Sequence, residues 1–195
     1  MITIQYKGQE LLSPKHDLVF KALYTSDGDL ELLASLLTSI LGLEICAGDM
    51  TITNSELVRQ HVGDRSARID VRIKLNDGKQ INVEIQIEDD QDMERRSVYY
   101  LSRLYADQAA PKKAFATFCP AIAINILDFN YFPGDEYHNR YRLRNVKSNA
   151  ELTDVFEINF IELPKAKASL ETANAAVFGD AWDKAGNTGG KLDAY

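Results

Sequence analysis

Residues 68–75 read Arg-Ile-Asp-Val-Arg-Ile-Lys-Leu and residues 81–88 read Ile-Asn-Val-Glu-Ile-Gln-Ile-Glu. Side chains point alternately to the two faces of a strand, so this period of two predicts two β-strands, each with one apolar and one polar face. A helix would scatter Ile69, Val71, Ile73 and Leu75 around its circumference and bury none of them coherently. Between the runs lies Asn76-Asp77-Gly78, whose turn chemistry predicts that the strands pair as an antiparallel hairpin.

Loop length sets the register. A two-residue loop of Asp77-Gly78 would pair residue 76 with 79 and Asp70 with Ile85, mixing polar and apolar side chains on both faces. A three-residue loop, a type I turn with Gly78 in the left-handed conformation, pairs 75 with 79 instead. Asp70 then stands opposite Glu84 and Arg68 opposite Gln86, and every apolar residue shares the other face. Two carboxylates about 5 Å apart across such a pair repel, and without a cation one of them tends to hold its proton. Two readings follow. One is a solvated sheet face with cross-strand ion pairs, Arg72 lying diagonal to Glu84; the other is a divalent-metal site suited to a phosphodiester.

A chain of 195 residues, 45% hydrophobic and 26% charged, is expected to form one domain with a substantial core. No apolar run reaches the length of a membrane span, and the opening Met1-Ile-Thr-Ile-Gln has no signal-peptide pattern. Cys46 and Cys119 are isolated in apolar contexts, which predicts buried thiols and a cytoplasmic protein. The net charge of −7 speaks against a protein that coats nucleic acid, but a nuclease site is itself acidic. Basic residues gather in three groups, Arg59 to Arg72, Arg95 to Arg103 and Arg140 to Lys147, compatible with a basic rim for a phosphate backbone.

Along the chain, Ser13-Pro14 opens a predicted helix to Tyr24, and Asp27-Gly28-Asp29 caps a second of about 30–41 that Gly42 ends. A strand near 50–58 leads into the hairpin, and a helix of about 92–108 follows it. On that helix Met93, Ser97, Tyr100, Leu101, Leu104 and Gln108 share one side, and Arg96, Tyr99 and Arg103 another. The apolar run from about 121 predicts a central strand, and 129–133 with 140–146 a further strand or extended pair. Residues 155–163 read as a strand and alanine-rich 166–177 as a helix. Gly186 to Lys191 lacks the spacing of a phosphate-binding loop, the three histidines have no metal-ligand spacing, and no serine-nucleophile motif is present.

Several segments in order resemble the PD-(D/E)xK nuclease superfamily, and within it the Rpn-type recombination-promoting nuclease/transposase family. They are Leu12-Ser13-Pro14-Lys15-His16-Asp17-Leu18-Val19-Phe20-Lys21, Ile69-Asp70-Val71-Arg72, Val83-Glu84-Ile85-Gln86, Arg95-Arg96-Ser97-Val98-Tyr99-Tyr100 and Phe160-Ile161-Glu162-Leu163-Pro164-Lys165. The superfamily's lysine is replaced here by Gln86, a substitution common in this family.

The resemblance implies an α/β fold, a restriction-endonuclease-like mixed central sheet flanked by helices, over residues 1–178, with 179–195 a poorly packed tail. It implies a metal-dependent DNA endonuclease linked to recombination or mobile elements. Asp70, Glu84 and the carbonyl of Ile85 would hold Mg2+, with Mn2+ as the alternative ion, and Gln86 would orient the attacking water. Lys21 or Arg96 would supply positive charge to the phosphate, and Asp17 is a further candidate. Arg72, Arg96, Tyr99 and Arg103 are the expected DNA contacts, and a homodimer is compatible with the pattern. The alternative is a catalytically inactive nuclease-fold module, shortened at its C-terminus, that binds DNA or protein.

Overall fold

The computed structural model describes residues 3–6, 9–12, 24, 30–53, 71–89 and 91–170. Its centre is a six-stranded mixed sheet of β3 (Met50–Thr53), β4 (Val71–Leu75), β5 (Gln80–Gln86), β6 (Ala121–Leu127), β7 (His138–Arg144) and β8 (Glu151–Glu162). The strand order is β3-β4-β5-β6-β8-β7. Pairing is antiparallel for β3–β4, β4–β5 and β7–β8 and parallel for β5–β6 and β6–β8. A separate antiparallel pair, β1 (Thr3–Tyr6) with β2 (Gln9–Leu12), was not expected; its sequence signal is the intervening Lys7-Gly8.

The hairpin has the register that the three-residue loop demands. Val71 stands opposite Val83, Arg72 opposite Asn82 and Ile73 opposite Ile81. The Leu75 N–H donates to the Lys79 carbonyl at 2.9 Å and the Gly78 N–H to the Leu75 carbonyl at 2.9 Å. Gly78 sits at φ +89°, and a Cβ there would come within 2.5 Å of Cys119 Sγ. Both the backbone conformation and the close approach of Cys119 therefore require glycine.

Among the described residues, two long helices lie on the sheet, one on each face. On one face α1 (Glu31–Leu41) buries Leu33, Ala34, Leu37, Ile40 and Leu41. These pack with Ile81, Val83 and Ile85 of β5 and Ile122, Ile124 and Ile126 of β6. The helix ends as predicted at Gly42, in the left-handed conformation at φ +68°, with its N–H on the Thr38 carbonyl. Its N-cap is Leu30, which forms no side-chain cap. On the other face α2 (Met93–Ala106) buries Met93, Ser97, Leu101 and Leu104, the stripe read from helical spacing. Leu101 and Leu104 rest on Ala121 and Ala123, small residues that let the helix lie close.

Of the two readings of the hairpin's polar face, the solvated one fails on β5. Asn82 and Glu84 are each 1% exposed. The reason is topological: β5 runs parallel to β6, the connection between them carries α2, and that helix lies on the face bearing Asn82, Glu84 and Gln86. The solvated-face alternative is thereby removed for β5.

Other elements depart from the sequence reading in specific ways. Residues 129–133 form no strand, because the Tyr131 and Phe132 N–H groups donate to the Glu162 carboxylate rather than to a ladder. Phe129, Tyr131 and Phe132 pack instead around Met93, Leu127 and Phe160. Helix α3 is described over 163–170 and starts directly after β8, earlier than the alanine pattern suggested. Cys46 is exposed and Cys119 half-buried, not buried: Cys46 opens a surface 3-10 turn and Cys119 lies against the hairpin loop. Of the helix predicted from Ser13 only Tyr24, packed against the core, is described; the strand predicted over 50–58 is seen as Met50–Thr53. Residues 171–195, with the predicted tail, lie outside the described residues. Among the described residues no helix is long and apolar enough to cross a membrane.

Candidate functional site

On the α2 face, the strand period carries Asn82, Glu84 and Gln86 to the same side of β5, directly beneath the helix. Glu84 is the centre of this layer. Its Oε1 accepts from Gln86 Nε2 at 2.8 Å and from the guanidinium of Arg96 on α2. Arg96 also donates to Gln86 Oε1 at 3.4 Å, so three side chains close a ring. The carboxylate is 2% exposed and the arginine 25%, so the pair opens to solvent on the arginine side only.

One helical turn beyond Arg96, Tyr100 lies with its ring centroid 5.9 Å from the guanidinium carbon. Burial pushes the Tyr100 hydroxyl above its ordinary pKa, and the negative charge of Glu84 adds to the shift. Next to Glu84 in register stands Asn125 of β6, whose Oδ1 accepts from Ser97 Oγ at 2.9 Å and whose Nδ2 donates to the Asn159 carbonyl at 3.2 Å. The first of these bonds ties α2 to β6 one residue along the helix from Arg96.

The expected site residues divide into three groups. Glu84, Gln86 and Arg96 converge, and Ile85 between the first two turns its side chain into the core shared with α1. Asp70, Lys21 and Asp17 lie outside the described residues. Arg72 is engaged elsewhere: it does not pair with Glu84 but donates to Asp107, just past α2, at 3.2 Å and to Gln80 Oε1 at 2.8 Å. Tyr99 is 41% exposed, its ring 5.6 Å from that of Tyr100, and Arg103 is half-buried on the same helix.

The third basic group does not rim Glu84. Arg140 and Arg142 project from β7 to the α1 side of the sheet, where both pair with Glu157. Arg140 also donates to the Ile40 carbonyl at the end of α1, at 2.8 Å. Strand alternation thus places these arginines on the face opposite the Glu84 ring.

Sequence reading missed two contributors. Tyr100 counted as a core position, yet its spacing of four from Arg96 was the available signal for a shared face. Glu162, quoted only as part of a strand, is a fully buried carboxylate at the carboxyl end of β8. It takes Lys165 Nζ at 2.8–2.9 Å, Asn139 Nδ2 at 3.2 Å and the Tyr131 and Phe132 N–H groups at 2.6 and 3.3 Å. The same loop is tied to α2 by the Tyr131 hydroxyl, which donates to Glu94. Glu162 is saturated by these donors and serves to hold the loop after β6.

The oxygen donors at Glu84 suit a hard divalent cation: a carboxylate, the neighbouring backbone carbonyl and an amide oxygen. Among the described residues no group of three or more His, Cys, Asp or Glu could hold a metal ion. Glu84 alone does not complete such a shell, and the expected second carboxylate, Asp70, lies outside the described residues.

A mixed sheet with three parallel strands at its centre, helices on both faces and a Glu-x-Gln with a buried glutamate on an inner strand is the α/β, restriction-endonuclease-like architecture. The family model for the PD-(D/E)XK nuclease family transposase matches residues 14–183. The chain belongs to this family. No curated protein and no solved structure matches it.

Proposed function

We propose that this protein is a metal-dependent DNA endonuclease whose reaction centre is Glu84 together with Asp70. Family membership supports a nuclease that uses a divalent metal on DNA. The observation that carries the finer reading is the burial of Glu84 at 1% exposure, within a ring that includes a cation, on an inner strand whose hairpin register is set. Asp70 itself lies outside the described residues, and its part in the site rests on the sequence reading, in which it precedes Val71, the first residue of β4, and is paired with Glu84.

In this reading Asp70, Glu84 and the Ile85 carbonyl hold Mg2+, or Mn2+ as the alternative. Bound there, the ion offsets charge on the scissile phosphate and makes a water more acidic. Gln86, already donating to Glu84 at 2.8 Å, fixes the carboxylate rotamer and presents its amide to the water. Being neutral, it adds no positive charge, so Arg96 or Lys21 supplies that to the phosphate. Tyr99, exposed on α2, and Arg103, half-buried on the same helix, contact the backbone of the substrate, and Arg72 does so only if it leaves Asp107. A link to recombination or mobile elements, and action as a homodimer, belong to the same proposal.

Incubation of the full chain with supercoiled plasmid and Mg2+ tests it. Nicking that is lost in Asp70→Asn and in Glu84→Gln is expected; nicking that persists in either variant rejects this site. The second reading, a non-catalytic module on the same fold, is favoured by one observation: Arg96 already neutralises Glu84. It requires that the folded wild-type chain bind DNA and never nick it.

A further inference from the structure

We infer that the loop between α2 and β6 is a stacking platform for an unpaired DNA base, with Phe115 as the platform and Lys112 and Lys113 as its phosphate contacts. This rests on the proposal that the chain acts on DNA and does not depend on any metal at Glu84.

Phe115 is 81% exposed, although a ring of its size is stabilised by burial. It is nevertheless held in place. Gln108, 8% exposed, closes the neck of the loop: its amide donates to the Cys119 carbonyl and accepts from the Cys119 N–H, both at 2.8 Å. Inside the loop the Lys113 N–H donates to the Ala110 carbonyl at 3.0 Å. Phe115–Thr117 form a 3-10 turn, which the Phe118 N–H closes on the Phe115 carbonyl at 3.0 Å. Behind Phe115 stands Phe118, with ring centroids 5.4 Å apart; Tyr105 of α2 backs Phe118 at 5.4 Å, and Phe156 of β8 backs Tyr105 at 5.0 Å. A chain of rings thus runs outward from the core on the α2 face and ends on Phe115. A ring presented on such an ordered frame loses little further freedom when a partner stacks on it.

The charges beside the ring are of one sign. Lys112 and Lys113 are exposed, and among the described residues neither has an ion-pair partner; Lys113 lies over the Phe118 ring at 5.1 Å. By contrast Arg72, Lys79, Arg140, Arg142 and Lys165 each face a carboxylate. Lys112 is also held at φ +66°, a backbone conformation that lysine rarely adopts.

Two ammonium groups beside a bare aromatic face match a nucleic-acid strand: the cations meet its phosphates, and every base offers a π face. The base must be unpaired, because a duplex keeps its base faces stacked on one another. Recognition of an anionic membrane by charge takes clusters of about four to eight basic residues, more than the loop carries. The platform lies on the same side of the sheet as Glu84, and α2 spans roughly 17 Å from Arg96 to Asp107, about five stacked nucleotides. The substrate class assigned is therefore DNA with an unpaired stretch beside the reaction site.

The test is fluorescence anisotropy without metal on the full-length wild-type chain, Phe115→Ala, Phe115→Trp and the double variant Lys112→Ser, Lys113→Ser. The probes are a fluorescein-labelled thymidine oligomer and a duplex of mixed sequence. Phe115→Ala is expected to bind the oligomer roughly ten- to a hundredfold more weakly and the duplex less than about twofold more weakly. Phe115→Trp is expected to keep the wild-type affinity for the oligomer. The double lysine variant is expected to reduce the slope of log affinity against log salt by about 1.4, the share of two phosphates on a single strand. Oligomer affinity unchanged in Phe115→Ala, or weakened equally for both probes, overturns the platform and leaves the DNA reading intact. A Phe115→Trp chain that binds the oligomer as poorly as Phe115→Ala overturns it as well. Wild type that binds neither probe overturns both. Wild type that binds phosphatidylserine vesicles through Phe115, and the oligomer independently of it, overturns the platform in favour of a membrane contact.

Discussion

Arg96 on α2 and Glu84 on β5 form an ion pair whose carboxylate is almost wholly enclosed and whose guanidinium is a quarter exposed. The pair is the contact through which the helix after the hairpin reaches the polar side of the central strand. It makes Glu84 a structural residue as well as a candidate ligand, and that changes what its substitution should do.

Removing Glu84 leaves Arg96 beside a buried strand with its main acceptor gone. Glu84→Ala is expected to lower the unfolding free energy by about 2 kcal/mol, less than for a fully buried pair because water reaches the arginine. Urea unfolding of the metal-free chain checks this. A midpoint equal to the parent would show that the pair contributes nothing to the fold.

Glu162 should matter more. Its carboxylate is fully buried and accepts from Lys165, Asn139 and two backbone N–H groups. Glu162→Ala strands those donors, at a cost of about 3–5 kcal/mol. Hydrogen exchange is expected to show the loss first at Tyr131 and Phe132, whose N–H groups it caps.

At Gly78 two separable penalties are expected. Gly78→Ala must adopt φ +89° and must also displace Cys119 Sγ, which a Cβ would approach to 2.5 Å. The total is about 2–3 kcal/mol, of which the backbone part is about 1 kcal/mol. In the Cys119→Ala background the cost of Gly78→Ala should fall towards the backbone part alone. A double-mutant cycle on unfolding midpoints measures the difference.

Among the described tyrosines, Tyr131 has the most strongly shifted hydroxyl. Burial, then donation to the Glu94 carboxylate, pushes its hydroxyl from 10.0 to about 12. The same bond lowers the Glu94 pKa. Because the tyrosine pKa is raised on folding, its contribution to stability is complete below the unfolded value of 10.0 and is lost as pH rises through about 12. Glu94, with a depressed pKa, contributes above its unfolded value of 4.5, and that contribution is lost as pH falls through the lower folded value. Tyrosinate absorbance should show a late component near pH 12 that moves towards 10.0 in Glu94→Gln, with burial retaining part of the shift.

Much of this architecture is local and can be read residue by residue. Alternation and Asn76-Asp77-Gly78 determined the hairpin and its register, because a slip by one residue would expose every apolar side chain. Gly42 ended α1, and the 3.6-residue period identified the buried stripe of α2. Glu84 and Gln86 could be placed on one face from spacing alone.

What covers that face could not be read locally. A polar side of a strand is wet or dry according to the element packed on it, and β5 is dry because its parallel pairing with β6 brings α2 across. Tertiary structure also chose the partners: Arg96 rather than Arg72 meets Glu84, since Asp107 at the far end of α2 captures Arg72. It sent the β7 arginines to the opposite face and made Glu162 the anchor of a loop that had read as a strand. The sequence by itself determined which residues could form a site and in what register. Only the fold decided which charge faces which, because ion pairing depends on the docking of elements far apart in the chain.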